Sequence, residues 1–268
     1  MKHLAGFHAL ARGVFSRKRW LRQLAGYYLR PPRQTYSRAS SPSSIQCDSN
    51  ELGRFVWRRL LPEVGCFPYP PHELMLMCAA ATWLRPKLII EWGTNVGASA
   101  RVWWEVVKRY RIDTQIHSID LPASLEHFEN PGSQRGMLVR GLDVTLHEGD
   151  GADVACRLIS GSNTDDILVF IDGDHATQSV FREGTEIWKQ CPNAAILFHD
   201  TYESLSVKSG PREAVRQLLA ARSDDPVIYE TQIGHPGMTL VIPRCSTFSD
   251  QLEPAPGQVA DNQAQVRS

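Results

Sequence analysis

Between residues 88 and 201, short apolar runs alternate with helical stretches, and each run closes on polar residues. LIIEW carries Glu91, TQIHSID ends on Asp120, and DVTLHEGD ends on Asp150. DDILVFIDGDH carries Asp172, Asp174 and His175, and NAAILFHDT ends on His199, Asp200 and Thr201. Strand and helix in strict alternation, with fully apolar strands, predict a parallel sheet covered on both faces. Ligands of open parallel sheets sit outside the carboxyl ends of the strands. The polar endings are therefore expected to form one band along one edge.

The first run leads into Gly93, Thr94, Asn95, Val96, Gly97 and then a helix, with Ser99 in its opening turn. Glycines let the backbone pass close to a ligand, and the free N–H groups of a first helical turn point at it. The spacing is G-x-x-x-G with an acid two residues ahead, which is not the G-x-G-x-x-G of a dinucleotide fold and disfavours a nicotinamide oxidoreductase. A tight strand-to-helix connection without a ligand has the same sequence, so the turn alone leaves both readings open.

Asp120, after the second strand, can accept both hydroxyls of a ribose; the alternative is a helix cap or loop acid. Asp150 with Gly151 suits the neighbourhood of an adenine, and equally a turn. Asp172 and Asp200 end strands expected to be neighbours, so they can converge on a hard cation such as Mg²⁺, which would ease deprotonation of a substrate hydroxyl. His175, three residues after Asp172, is placed to take that proton. Against this, Asp172 and Asp174 also suit capping of the next helix, and His199 suits a satisfied core histidine.

The rest of the chain frames this core. Formal net charge is zero, yet no acid precedes Asp48, while Lys2, Arg12, Arg17, Lys18, Arg19, Arg22, Arg30, Arg33 and Arg38 do. The remainder is acidic, which argues against nucleic acid as a partner. Residues 1–46 read as a basic extension and linker: a membrane-surface helix, a transit peptide, a docking arm for a partner, or a frayed solvated segment. Residues 47–246 form the expected domain, opening on NELGRFVWRRLL with Asn50 as a helix N-cap and a second helix over PYPPHELMLMCAAATWLRP. RGMLVRGL suggests a short helix and PREAVRQLLAARS another. PVIYETQI and MTLVIPR form a closely linked, hence antiparallel, strand pair. Residues 247–268 carry no periodicity and are expected to be disordered. Scattered cysteines without a C-x-x-C pair fit a reducing, cytoplasmic compartment, with membrane association only through residues 1–46, and no apolar run is long enough to span a bilayer.

The ordered set E-W-G-T-N-V-G-A-S, H-S-I-D, H-E-G-D-G, F-I-D-G-D-H and L-F-H-D-T resembles class I S-adenosylmethionine-dependent methyltransferases over about residues 70–245. Within that superfamily it resembles the small-molecule O-methyltransferase branch that includes the cephalosporin-hydroxylase-like proteins. The resemblance implies a Rossmann-like α/β fold, with a seven-stranded, mostly parallel sheet, an antiparallel last strand and helices on both faces. It places Glu91 near the methionine amino group and the segment Gly93–Gly97, with Ser99, beside the methionine moiety. It puts Asp120 at the ribose and Asp150 with Gly151 at the adenine. In metal-dependent relatives the fourth-strand acid and a fifth-strand acid–amide pair bind Mg²⁺; here these are Asp172 and Asp200, with Thr201 in the amide's place. His175 matches the relatives' proton acceptor, while Thr177 stands where an aromatic is common. The implied activity is methyl transfer to a hydroxyl of a small molecule or sugar. The alternative is a non-catalytic protein of the same fold, acting as a binding or membrane-recruited module.

Overall fold

The structure, a computed structural model, describes residues 49–122, 124–125, 130–204, 208–231 and 234–244. The expected basic extension and the C-terminal tail fall outside the described residues, and with them the membrane, partner and disorder readings. Among the described residues no helix is long and apolar enough to cross a membrane.

The chain opens with α1 (Ser49–Phe55), a π-helical stretch Val56–Leu60, and α2 (Leu61–Val64). Asn50, expected as the N-cap, instead lies inside the first turn, because Ser49 is already helical. Then α3 (Pro71–Leu84) begins with proline at its first position, where the missing N–H costs nothing, and ends on the left-handed Arg85 before Pro86. It is buried almost all round, including Glu73.

Strand and helix then alternate: β1 (Leu88–Trp92), α4 (Ala98–Tyr110), β2 (Gln115–Asp120), β3 (Thr145–Glu148), α5 (Gly151–Gly161), β4 (Ile167–Ile171), α6 (Thr177–Gln190) and β5 (Ala195–His199). They are followed by α7 (Gly210–Ala220) and the pair β6 (Val227–Thr231) and β7 (Met238–Ile242). The seven strands form one sheet in the order β3-β2-β1-β4-β5-β7-β6. All neighbours from β3 to β5 are parallel, while β7 runs antiparallel to both β5 and β6. The expected architecture is thus the observed one.

One expected helix is absent. RGMLVRGL holds a 3₁₀ turn, Met137–Val139, preceded by another at Gly132–Gln134. Gly136 between them sits at φ +62°, outside the helical region, and its N–H bonds to the Asn95 carbonyl at 2.8 Å. Docking on the glycine turn wins over local helical spacing.

Side chains alternate across a strand, so each polar ending inherits the face of the residue two before it. Ile89, Ile116, Phe170 and Leu197 pack in the core with α1, α3 and α4. Ile90, Ile119, Val169, Ile196 and Trp92 pack in the other core, beneath α5, α6 and α7. Glu91, Ser118, Asp120, Asp172 and His199 therefore all fall on the α3/α4 face, at its carboxyl edge.

Candidate active site

The turn after β1 is forced by sterics. Gly93 has φ +93°, and a Cβ there would stand 1.9 Å from the Asp172 carbonyl oxygen. Gly93 N donates to Ile119 O at 3.0 Å, tying the turn to β2. Gly97 at φ +89° leads into α4 without a side-chain cap, leaving the amides of its first turn free of one. Asn95, also at positive φ, donates its N–H to Asp120 Oδ2 at 3.0 Å. Leu121 N donates to Oδ1 at 2.9 Å, so Asp120, 8% exposed, is aimed at the turn.

Glu91 lies fully buried beneath this turn. Ser118 Oγ donates to Oε1 at 2.7 Å and Trp103 Nε1 to Oε2 at 3.0 Å. Burial pushes its carboxyl up to about 7, against the pull of the Ser118 and Ser99 bonds. Thr94 joins the same network through Ser118 Oγ at 2.6 Å. With both oxygens engaged inside the fold, Glu91 sets the charge and shape under the cradle.

Asp150 is the N-cap of α5, accepting from Asp153 N at 3.1 Å and from Arg182 Nη2 at 2.7 Å. Burial works against its charge, but these donors hold it below the usual carboxylate range. Gly151 beside it makes room for the Trp92 indole, which a Cβ would meet at 2.5 Å.

The β4 and β5 ends converge, as their neighbouring register requires. Asp172, His175 and Asp200 each offer a ligand atom, all within 4.8 Å of one another. His175 Nε2 stands 3.2 Å from Asp200 Oδ2, with half its side chain exposed. Neither Asp172 nor Asp174 caps α6, whose N-cap is Ala176 without a side-chain cap; Asp174 braces the turn before it, accepting from Ala176 N at 3.1 Å and from Ser179 Oγ at 2.5 Å. Thr201 is fully buried, and Thr239 Oγ1 donates to its hydroxyl at 2.8 Å, away from the amide's expected role.

His199 is the buried centre of this end. Its Nδ1 lies 2.8 Å from Asp172 Oδ1 and 3.3 Å from Asp200 Oδ2, and its Nε2 3.0 Å from Glu73 Oε2. Burial disfavours its charge, but the Asp172, Asp200 and Glu73 carboxylates overcome that and hold the imidazolium well above its ordinary range. Tyr69 donates to Asp172 Oδ2, and Gly237 N to Glu73 Oε1 at 2.7 Å. Tyr69 and Glu73 are the residues that sequence reasoning missed. The available signal was a single acid at the start of the otherwise apolar HELMLMCAAA.

Residues 90–201 match the sequence profile of a family described as a methyltransferase domain. This segment is a methyltransferase domain. No curated protein sequence matches the chain significantly. Among solved structures, the chain is similar to the O-methyltransferase TomG of Streptomyces achromogenes, solved with SAM, at 19% identity and a TM-score of 0.48, over 74% of this chain and 91% of that one. It is similar to the SAH-bound methyltransferase PaMTH1 of Podospora anserina at 18% identity and 0.47, over 72% and 86%. For an O-methyltransferase of Bacillus cereus with SAH the values are 14% and 0.46, over 74% and 92%.

On the far face of the methyltransferase domain, Glu183 of α6 is 5% exposed and its Oε2 has no hydrogen-bond partner. Burial pushes it up to about 7, only partly opposed by Trp92 and Arg182. A folded-state value above the unfolded one means that the folded protein holds a proton the unfolded chain has released. Stability from this group is therefore present at low pH and falls as pH rises from the ordinary glutamate range to about 7. Glu183→Gln is expected to gain about 2 kcal/mol at pH 8 and nothing at pH 4, read by urea denaturation at both. A gain equal at both pH values would refute the linkage.

Proposed function

We propose that the chain transfers a methyl group from S-adenosylmethionine to a hydroxyl of a small molecule or sugar. One observation carries this reading. Glu91 pairs in register with Ser118, two residues before Asp120, so the acid that underlies the Gly93–Gly97 turn and the acid that binds its backbone share one face. The residues fit the group: Gly93 and Gly97 allow the positive-φ turn that leads the backbone to the start of α4, Asp120 beside that turn offers the ribose a carboxylate, and Asp150 at the end of β3 stands where the adenine would lie.

Bound there, the cofactor supplies an electrophilic methyl on a sulfonium, and displacement needs alignment and removal of one proton. Asp200 stands against His175 Nε2 as an ion-pair partner, which orients the ring and leaves Nδ1 to take the acceptor's hydroxyl proton. Tyr69 and His199 hold Asp172 in place beside them. Should the enzyme use Mg²⁺, Asp172 and Asp200 are the carboxylates that would hold it, since each carboxylate oxygen keeps a lone pair beyond its present bond, and His175 stays beside them as the base. Such an ion would lower the pKa of a bound hydroxyl.

Isothermal titration of the folded protein with S-adenosylmethionine is expected to give saturable one-to-one binding. Absence of heat from protein that is demonstrably folded would end the reading.

A further inference from the structure

Arg135 reads in the sequence as a solvated arginine or as one facing an anionic acceptor. The structure gives it a different place. Its side chain is only 13% exposed, with Nε 3.4 Å from Asp120 Oδ2 and Nη1 3.4 Å from Glu148 Oε1. Both Nε and Nη2 are buried without a hydrogen-bond partner. Buried donors left unpaired are costly, and a guanidinium carries them in a fixed fork. The backbone around Arg135 is fastened to the glycine turn: Gly136 N donates to Asn95 O at 2.8 Å and Leu138 N to Val96 O at 3.0 Å. Gly97 and Gly136 are themselves in close approach, since a Cβ on Gly97 would meet Gly136 Cα at 3.3 Å. Arg135 is thus part of the cradle wall.

Asp120 can only accept. A vicinal diol brings two hydroxyl donors and also oxygen lone pairs, for which Asp120 offers nothing. Arg135 has the missing donors, next to the same carboxylate. Resting on the cofactor reading above, we propose that Arg135 is a second ribose-binding residue, with Asp120 accepting from the diol and the guanidinium donating to one of its oxygens. The pair makes the site selective for ribose over deoxyribose nucleosides.

The test is a cycle of ligand and variant by isothermal titration. S-adenosylhomocysteine and its 2′-deoxy and 3′-deoxy analogues are each titrated into wild type and Arg135→Met. A hydrogen bond from a charged donor corresponds to about a tenfold to a hundredfold change in affinity. The variant is expected to bind S-adenosylhomocysteine about tenfold or more weakly, and its preference over one of the deoxy analogues is expected to shrink by a similar factor. Equal weakening towards all three ligands, or an unchanged affinity, overturns the assignment, because a merely structural role leaves the preference intact. Should the methionine variant not fold, Arg135→Lys keeps the charge beside Asp120 and Glu148 and carries the same comparison. Wild type that does not bind S-adenosylhomocysteine at all brings down the cofactor reading itself. That result is distinct from normal wild-type binding with an unmoved preference, which removes Arg135 alone.

Discussion

Gly93→Ala is expected to destabilise the protein by about 4 kcal/mol and to abolish cofactor binding in whatever remains folded. Two costs combine. The backbone at φ +93° is one that a side chain rarely adopts, and holding an alanine there costs about 1–3 kcal/mol. The added Cβ also falls 1.9 Å from the Asp172 carbonyl oxygen. That obstacle is backbone at the end of β4, not the tip of a flexible side chain. Relief requires β1 and β4 to part at the point where the cradle and the candidate catalytic acids meet, which adds about 1–3 kcal/mol. Gly132→Ala is the control, since Gly132 also has positive φ (+56°) but nothing within 4 Å of an added Cβ. It isolates the backbone cost, expected at about 1 kcal/mol. Urea denaturation of both variants measures the difference; equal losses would show that the approach to Asp172 is not tight.

His199→Ala is expected to cost about 3–5 kcal/mol, because it removes one member of a buried charged network and leaves the others uncompensated. The imidazole is 3% exposed and bridges Glu73 on α3 to Asp172 at the end of β4. Glu73 is fully buried and, among the described residues, would keep Gly237 N as its hydrogen-bond donor, with His72 Nε2 at 3.7 Å. The variants Glu73→Gln and His199→Ala should therefore be non-additive, the double variant losing clearly less than the summed singles. Additive losses in urea denaturation would mean that the two side chains do not share a charge.

The sequence made the sheet legible because its central strands, β1, β4 and β5, are apolar runs closed by polar residues and separated by helical stretches. The expected band of polar endings along one edge followed from that order, as did the placing of Asp172 next to Asp200, while the face shared by Glu91, Asp120, Asp172 and His199 is visible only from which core each strand's residues enter. The segments that misled were those where a tertiary contact decides. RGMLVRGL has helical spacing, yet the hydrogen bond from Gly136 to Asn95 holds it in 3₁₀ turns. Arg135 looks like any loop arginine until that same docking buries it against Asp120. Tyr69 and Glu73 precede β1 and meet His199 only because α3 crosses the carboxyl edge. Local pattern carries no trace of so distant a meeting. Thr201 stood in the expected place of a metal-binding amide, but the pairing of β5 with β7 turns its hydroxyl to Thr239.

The central claim is that the carboxyl edge between β1 and β2 forms one pocket for a nucleoside sulfonium. A crystal structure of the protein soaked with S-adenosylhomocysteine tests it most directly. The account predicts the ligand lying along Gly93–Gly97, its ribose hydroxyls within hydrogen-bond distance of Asp120 and its adenine beside Asp150 and Gly151. A ligand bound elsewhere, or one whose ribose makes no contact with Asp120, would contradict it.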